Sequence, residues 1–442
     1  MKKNSLEKEI RDLLGDIATI VVVEEDKIME YDLLVIGGGA SGMIAAGRAA
    51  EKGAHVLLLE KNNKLGVKLL ITGKGRCNIT NEEFDSKKFV EKFGKQGNFL
   101  FSLLSRFGVQ ETIKFFESIG VTLKTERGNR VFPKSDKAED VLNALINYLK
   151  ENKVEVKLNA EVRDILFKGN NIKKVILRNG KKLAAKKYLI AVGGKSYSIS
   201  GSSGDGYKWL NDLGHTIIKP RPALVPLLIK ERIVKDLEGL SLKNVEIVVY
   251  QDDKKKDSKF GEAIFTRVGL SGPIILDMSK NIGELLKNGK VNIRIDFKPA
   301  LQFDTLDVRI QRDFREQSNR LFKNSLNLLL PKKLIPVMIK LSEIDPNKRV
   351  NFITRDERRK LLHLLKGFEL EVKRLDGFNK SIVTTGGVDL KEIDAKTMKS
   401  KIIDNLYLSG EVINLDGPTG GYNLQMCWST GFVAGDNYNY SI

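Results

Sequence analysis

Between Tyr31 and Glu60 the chain reads YDLLVI, GGGASG, MIAAGRAAEKG and AHVLLLE. A buried-strand run, a glycine turn, an Ala-rich helix ended by Gly53 and a second strand make a βαβ unit, and that unit commits the chain to a doubly wound parallel sheet. The glycines stand as Gly37-x-Gly39-x-x-Gly42, with Glu60 at the end of the second strand. In this spacing the first glycine makes the turn, the second lets backbone approach a pyrophosphate, and the third packs helix on strand. The helix N-terminus, with Ala40 and Ser41 in its first turn, presents its positive end to phosphates, while Glu60 reaches ribose hydroxyls. An acid at that position argues against a 2′-phosphate. Lys61 and Lys68, just beyond, join the cofactor-binding candidates.

A dinucleotide in such a turn is NAD or FAD, and the C-terminus decides between them. NLYLSGEVINLDGPTGGYNLQMCWSTGFVAG is a strand ending in Gly410-Glu411, then a glycine-rich loop feeding a helix near Gly421. An acid such as Glu411 reaches the ribityl chain of FAD. The helix N-terminus, with Gly420, Gly421, Tyr422 and Asn423, offers N–H groups and dipole to the flavin pyrimidine edge, which favours negative charge at N1 and O2. The competing reading is a strand and helix that merely pack the sheet.

The chain has 442 residues, too many for one core, since single cores stop growing near ~250–300 residues. Residues 1–28 read as an N-terminal extension, 29–196 as the first part of an FAD-binding domain, and 381–442 as its C-terminal part. Between them, 197–380 change texture to short alternating strands (VEIVVYQ, KFGEAIFT, VNIRIDF, FELEVKRL) with helical stretches over 303–328 and 331–366, an insert domain. Two cysteines, Cys77 and Cys427, exclude a disulfide scaffold, a four-cysteine metal site and a CxxC redox pair. His55, His215 and His363 have no metal-ligand spacing, so no metal is expected. No apolar run reaches the ~18–20 residues that span a bilayer, and acids run through the N-terminus. The expectation is a cytoplasmic protein with no membrane part.

The chain resembles the BaiN/RdsA-type family of NAD(P)/FAD-dependent oxidoreductases, also known as aminoacetone oxidase family FAD-binding enzymes, from Tyr31 to the end. The resemblance is carried by IGGGASG (36–42), TGKGRCNITN (72–81), RVFPKSDKAEDV (130–141), AVGGKSYSISGSSGDGY (191–207), FTRVGLSGP (265–273), TTGGV (384–388) and SGEVINLDGPTGGYNLQ (409–425). It implies an α/β fold: a Rossmann-like FAD-binding domain of the two-dinucleotide-binding-domain type with an inserted β-barrel-like and helical domain. It also implies that TGKGRCN passes the isoalloxazine, making Gly73, Gly75, Arg76, Cys77 and Asn78 flavin neighbours. Arg76 and Asn78 would position flavin or substrate carbonyls. Cys77 is the candidate proton donor opposite flavin N5, against the reading of a buried packing thiol. Gly193, in AVGG, and Val162 are expected beside the adenine half. GSSGDGY lacks the strand, Lys and Ser/Thr of a P-loop and is expected to be a substrate-side or domain-joining loop. Two departures stand out: Phe265-Thr266-Arg267 replaces FTH, removing a histidine acid, and GGKSYS lacks the usual proline. No second GxGxxG serves NAD(P)H, the expected electron donor, so either the nicotinamide meets the flavin face without a Rossmann domain of its own or oxygen or another partner exchanges electrons with the flavin.

The resemblance offers three substrate classes: uridine in large-subunit ribosomal RNA, enone-like bile-acid intermediates, and an aminoacetone-like amine. A non-catalytic FAD-containing sensor is a more distant reading. Charge bears on the choice. The formal net charge is +19, and within 331–360 nine Lys/Arg face four Asp/Glu. That stretch, with Phe352 and Phe368 as the nearest aromatics, is a candidate path for an RNA backbone. Uridine reduction in ribosomal RNA is therefore the first expectation. A small-molecule reductase or oxidase comes second. The oligomeric state is left open.

Overall fold

The computed structural model describes residues 31–438, so the extension expected over 1–28 lies outside the described residues. The chain enters as β1 (Tyr31–Ile36), α1 (Ala40–Glu51) and β2 (Val56–Leu59), and later adds β3 (Glu155–Lys157) and β4 (Ala185–Ile190). β2 is buried throughout, and β1 everywhere except Asp32, as strands covered on both faces require. α2 (Asp205–Asp212) follows.

Next come β5 (Leu227–Ile229), β6 (Ser241–Gln251), β7 (Lys254–Thr266), β8 (Gly269–Ser271), β9 (Val291–Asp296) and β10 (Phe368–Leu375). They close a barrel in the order β5-β8-β7-β6-β9-β10. In β9 the period of two turns Val291, Ile293 and Ile295 inward. α3 (Pro273–Leu285) buries Ile274, Ile275, Met278 and Ile282 against this barrel, and α4 (Phe303–Glu316), α5 (Ile335–Ser342) and α6 (Arg355–Lys366) form a helical part beside it. Barrel and helices share one core running from Leu227 to Val372.

The chain returns as β11 (Leu406–Leu408) and α7 (Tyr422–Asp436), completing a parallel sheet in the order β11-β4-β1-β2-β3. α7 lies on α1 at glycine contact: a Cβ on Gly431 or Gly435 would stand 2.4 Å from the backbone oxygen of Ser41 or Ala45. No helix among the described residues is long and apolar enough to cross a membrane.

Two local expectations change. The helices expected over 303–328 and 331–366 break into α4, short 3-10 turns, α5 and α6; in the second stretch Pro346, between α5 and α6, lacks a donor N–H and restricts the residue before it. Val383–Val388 pairs antiparallel with Ile217–Ala223 in a separate two-stranded ribbon, setting Ala223 opposite Val383 where the chain enters and leaves the barrel. Residues 207–213, beyond the expected boundary at 196/197, give Tyr207, Trp209, Leu210 and Leu213 to the core of the first sheet.

Candidate functional site

The three motif glycines have different reasons to be glycine. Gly37 sits at φ +111 with a virtual Cβ 2.5 Å from the Ala191 oxygen, and a Cβ on Gly42 would stand 1.9 Å from the Gly37 oxygen. Both are fixed by packing. Around Gly39, the N-cap of α1, a Cβ would meet nothing within 4 Å. Neither a capping side chain nor a first-turn acid occupies this helix end, leaving its first N–H groups directed at open space. Ala40 opens the helix, and Ser41 is buried with its hydroxyl 2.7 Å from that of Ser409.

Glu60 is 8% exposed at the end of β2. Its Oε1 accepts from the Asn62 N–H and Nδ2, and Oε2 accepts from the Gly38 N–H, all at 2.8 Å. With one donor, Oε2 keeps a lone pair for a ribose hydroxyl. The Ala160 N–H bonds to the Glu60 carbonyl at 2.9 Å, which brings Val162 to the same end of the sheet. Lys61 donates to Asp205 at 3.0 Å and to Ser203, while Asn62 donates to the Ser200 carbonyl. A Cβ on Gly193, at φ +74, would stand 3.0 Å from Ser202 Oγ. The GSSGDGY loop is therefore seated against the end of β2, where small residues let it approach Glu60–Asn62 closely.

A second node lies deeper. Lys68 Nζ donates to Glu411 Oε2 at 2.6 Å and to Ser196 Oγ at 2.7 Å. Glu411 Oε1 accepts from Ser196 Oγ at 2.6 Å and from the Thr384 N–H at 2.7 Å. One carboxylate thus joins four chain segments. Gly410, at φ +74, precedes it and has Ser41 Oγ 2.8 Å from its virtual Cβ.

The loop expected beside the flavin is a run of left-handed residues, with Gly73, Lys74, Gly75 and Cys77 all at positive φ. Arg76 turns away from a carbonyl-binding role: its guanidinium pairs with Glu126 at 2.9 Å and Asp136 at 3.1 Å and stacks 4.0 Å over the Phe132 ring. Cys77 is 0% exposed, and burial pushes its thiol up to about 12. A thiol with no exposed surface does not reach a substrate carbon, so the geometry does not support it as proton donor. Asn78 keeps a buried Oδ1 with no hydrogen-bond partner among the described residues.

Gly420 and Gly421, at φ +109 and +103, lead into α7, whose N-terminus also lacks a side-chain cap and a first-turn acid. A Cβ on Gly421 would stand 2.3 Å from the Thr80 carbonyl carbon. The Tyr422 ring packs on Phe89 at 4.9 Å. Asn423 accepts from the Gly417 N–H and donates to the Gly417 and Pro418 carbonyls, each at 2.9 Å. Tyr422 and Asn423 side chains thus shape the loop, and what faces outward here is backbone. The open space at Gly39, two uncapped helix N-termini, the Glu60 lone pair and the unpartnered Asn78 oxygen fit a dinucleotide.

Sequence reading missed the partners from the insert. On α3, Asp277 accepts from the Thr419 N–H at 2.8 Å and is held above the usual carboxylate range by burial. Lys280, one turn on, pairs with Asp416 at 2.9 Å. Nothing in the residue types marks these contacts, which join positions 142 and 136 apart. In the basic stretch 331–360, Lys348–Glu357, Arg358–Asp307 and Lys360–Glu343 are ion pairs. Phe352 is 64% exposed, whereas Phe368 belongs to the barrel core.

Compared with known proteins, residues 31–437 match the family described as HI0933-like protein Rossmann domain. A 3-dehydro-bile acid delta(4,6)-reductase of Clostridium scindens is 33% identical over 404 residues, covering 91% of this chain and 97% of its own length. A ribosomal RNA dihydrouridine synthase of Escherichia coli is 28% identical over 406 residues, covering 91% and 96%. Among solved structures, the 3-ketosteroid delta1-dehydrogenase of Sterolibacterium denitrificans, in complex with 1,4-androstadiene-3,17-dione, is similar with a TM-score of 0.51 and 14% identity, over 92% of this chain and 99% of that one. At that identity the likeness is one of fold.

Proposed function

This chain belongs to the HI0933-like family, a family of FAD-dependent oxidoreductases, and from that premise we propose that it reduces a carbon–carbon double bond conjugated to a carbonyl, namely the C5=C6 bond of uridine in large-subunit ribosomal RNA. The two relatives act on very different molecules by their names, a bile acid and a ribosomal RNA, yet both names describe saturation of such a bond. Hydride goes to uracil C6 and a proton to C5. Bound FAD supplies the hydride from N5. Around it, Gly39 and the α1 N-terminus hold the pyrophosphate, Glu60 the adenosine ribose, and the N-terminus of α7 the pyrimidine edge, where its dipole favours the reduced flavin's negative charge. In this scheme NAD(P)H is the electron donor, meeting the flavin without a glycine turn of its own, and the setting is the cytoplasm.

The observation that carries RNA over a small molecule is charge: the helical part of the insert, residues 301–366, holds fifteen Lys/Arg against eight Asp/Glu. A net positive surface of this kind attracts a polyanion and has no evident use with a steroid acid alone. The second reading, reduction of a bile-acid enone, is favoured by the 33% identity to the bile-acid reductase.

The test incubates purified protein, FAD and NADPH with unmodified large-subunit ribosomal RNA and its fragments, and looks by mass spectrometry for a uridine that has gained two hydrogens. A mapped dihydrouridine is the expected result. Flavin reduction by NADPH with no modified uridine in any RNA, and turnover of a steroid enone instead, would move the assignment to the second reading.

A further inference from the structure

The eight acids of residues 301–366 are not spread evenly against its cations. Asp307, Asp313, Glu316, Glu343 and Glu357 are each tied up in an ion pair. This internal pairing leaves Lys332, Lys340, Arg349, Arg355 and Arg359 among the cations with no ion-pair partner among the described residues, and all but three acids consumed. Pairing therefore concentrates the positive charge at particular positions.

Two of those positions, Arg349 and Arg355, bracket an exposed aromatic ring, and Arg359 follows one turn further along the helix. Phe352 is 64% exposed, three residues from Arg349 on one side and from Arg355 on the other. The segment that presents it is tied to its neighbours by backbone hydrogen bonds. The Phe322 N–H bonds to the Lys348 carbonyl at 2.8 Å and the Val350 N–H to the Arg320 carbonyl at 3.0 Å. Immediately after, Thr354 and Glu357 form a capping box that starts α6.

Stability alone does not explain the arginines. Arg355 stands at the first position of α6, where the helix dipole disfavours a cation. Arg355 and Arg359 are four apart on one helix face, a like-charge spacing that weakens a helix. Exposure of a large ring costs burial as well. A surface that spends stability on three guanidinium groups and an exposed ring has the composition of a nucleic-acid platform, in which cations follow the phosphates and the ring stacks on an unpaired base.

We propose that Arg349, Phe352, Arg355 and Arg359 form the RNA-holding surface of this protein. This rests on the ribosomal RNA reading and narrows it to one face of the insert. The FAD-loaded full chain is titrated with a fluorescein-labelled single-stranded oligoribonucleotide over a range of KCl concentrations. In an R349A/R355A/R359A variant the slope of log Kd against log salt falls by about 2, at ~0.7 per lost phosphate contact on a single strand. Phe352→Ala weakens binding about tenfold with the slope unchanged, and Phe352→Trp restores it. Retained flavin absorbance and thermal midpoint certify that the variants are folded. Wild-type affinity and slope in the triple variant would overturn the surface, and assign the exposed ring to a partner other than RNA. If dihydrouridine is formed by the wild type all the same, uridine reduction stands and only this surface falls. Loss of RNA affinity in the variants supports the surface whether or not uridine is reduced.

Discussion

The Gly37–Glu60 turn and the Lys68–Glu411 node both hold candidate cofactor-binding residues, but they are built in opposite ways. The turn is mostly local: its motif glycines and Glu60 lie within some thirty residues, Gly42 is fixed by the Gly37 oxygen beside it, and only Gly37 is packed from afar, against the Ala191 oxygen. The node is assembled from Lys68, Ser196, Thr384 and Glu411, and it exists only once both halves of the domain have folded around the insert. The first is a property of a segment, the second of a completed fold. Damage to them should differ in kind.

The largest effect is expected at Gly42. Gly42→Ala forces a Cβ toward an oxygen 1.9 Å away, which separates α1 from β1 and costs more than about 3 kcal/mol. Thermal denaturation should show the loss, and FAD should not be retained. Next, Glu411→Ala strips acceptors from Lys68, Ser196 and Thr384 at once, at a cost of about 3 kcal/mol. A thermal midpoint within a degree of wild type would show that the node is not holding the segments together. Gly39→Ala sharpens the contrast from the other side. Its Cβ meets nothing in the protein, so the cofactor-free midpoint should not move, while FAD affinity, read by flavin fluorescence, falls about tenfold.

A pH dependence tests another assembled node. His215 is buried between Glu392 at 3.0 Å and Ser400 at 2.9 Å, and burial holds its imidazole below the ordinary range, against the opposing pull of Glu392. In the unfolded chain the ring takes up a proton as pH falls through about 6.5, and in the folded chain it does not. The stability it contributes is present above that pH and is lost on acidification. Midpoints measured between about pH 7.5 and 5.5 should fall, and His215→Gln should flatten that part of the curve. The smallest effect is expected at Cys77: Cys77→Ser should leave turnover within about twofold, whereas a hundredfold loss would return the proton-donor role to this thiol.

What was legible in the sequence follows the same division. Gly37, Gly39, Gly42 and Glu60 were readable because spacing along a βαβ unit is nearly geometry. Glu411 was readable as an acid before a glycine loop, but its partners were not, since Lys68 lies 343 residues away and nothing in a sequence reports such a distance closing. Arg76 and Cys77 were read by position in a motif. The structure then assigns the guanidinium to Glu126 and Asp136 and buries the thiol in the core. The second helical stretch of the insert was overextended across Pro346, where the backbone could not continue a helix.

The ribbon that sets Ala223 against Val383 has a consequence beyond holding two strands together. Because the barrel and its helices leave and rejoin the flavin half at facing residues, they behave as a cassette. Entry and exit share one antiparallel stem, so the insert meets the parallel sheet at a single doorway, and the Asp277–Thr419 and Lys280–Asp416 contacts latch it a second time against the C-terminal loop.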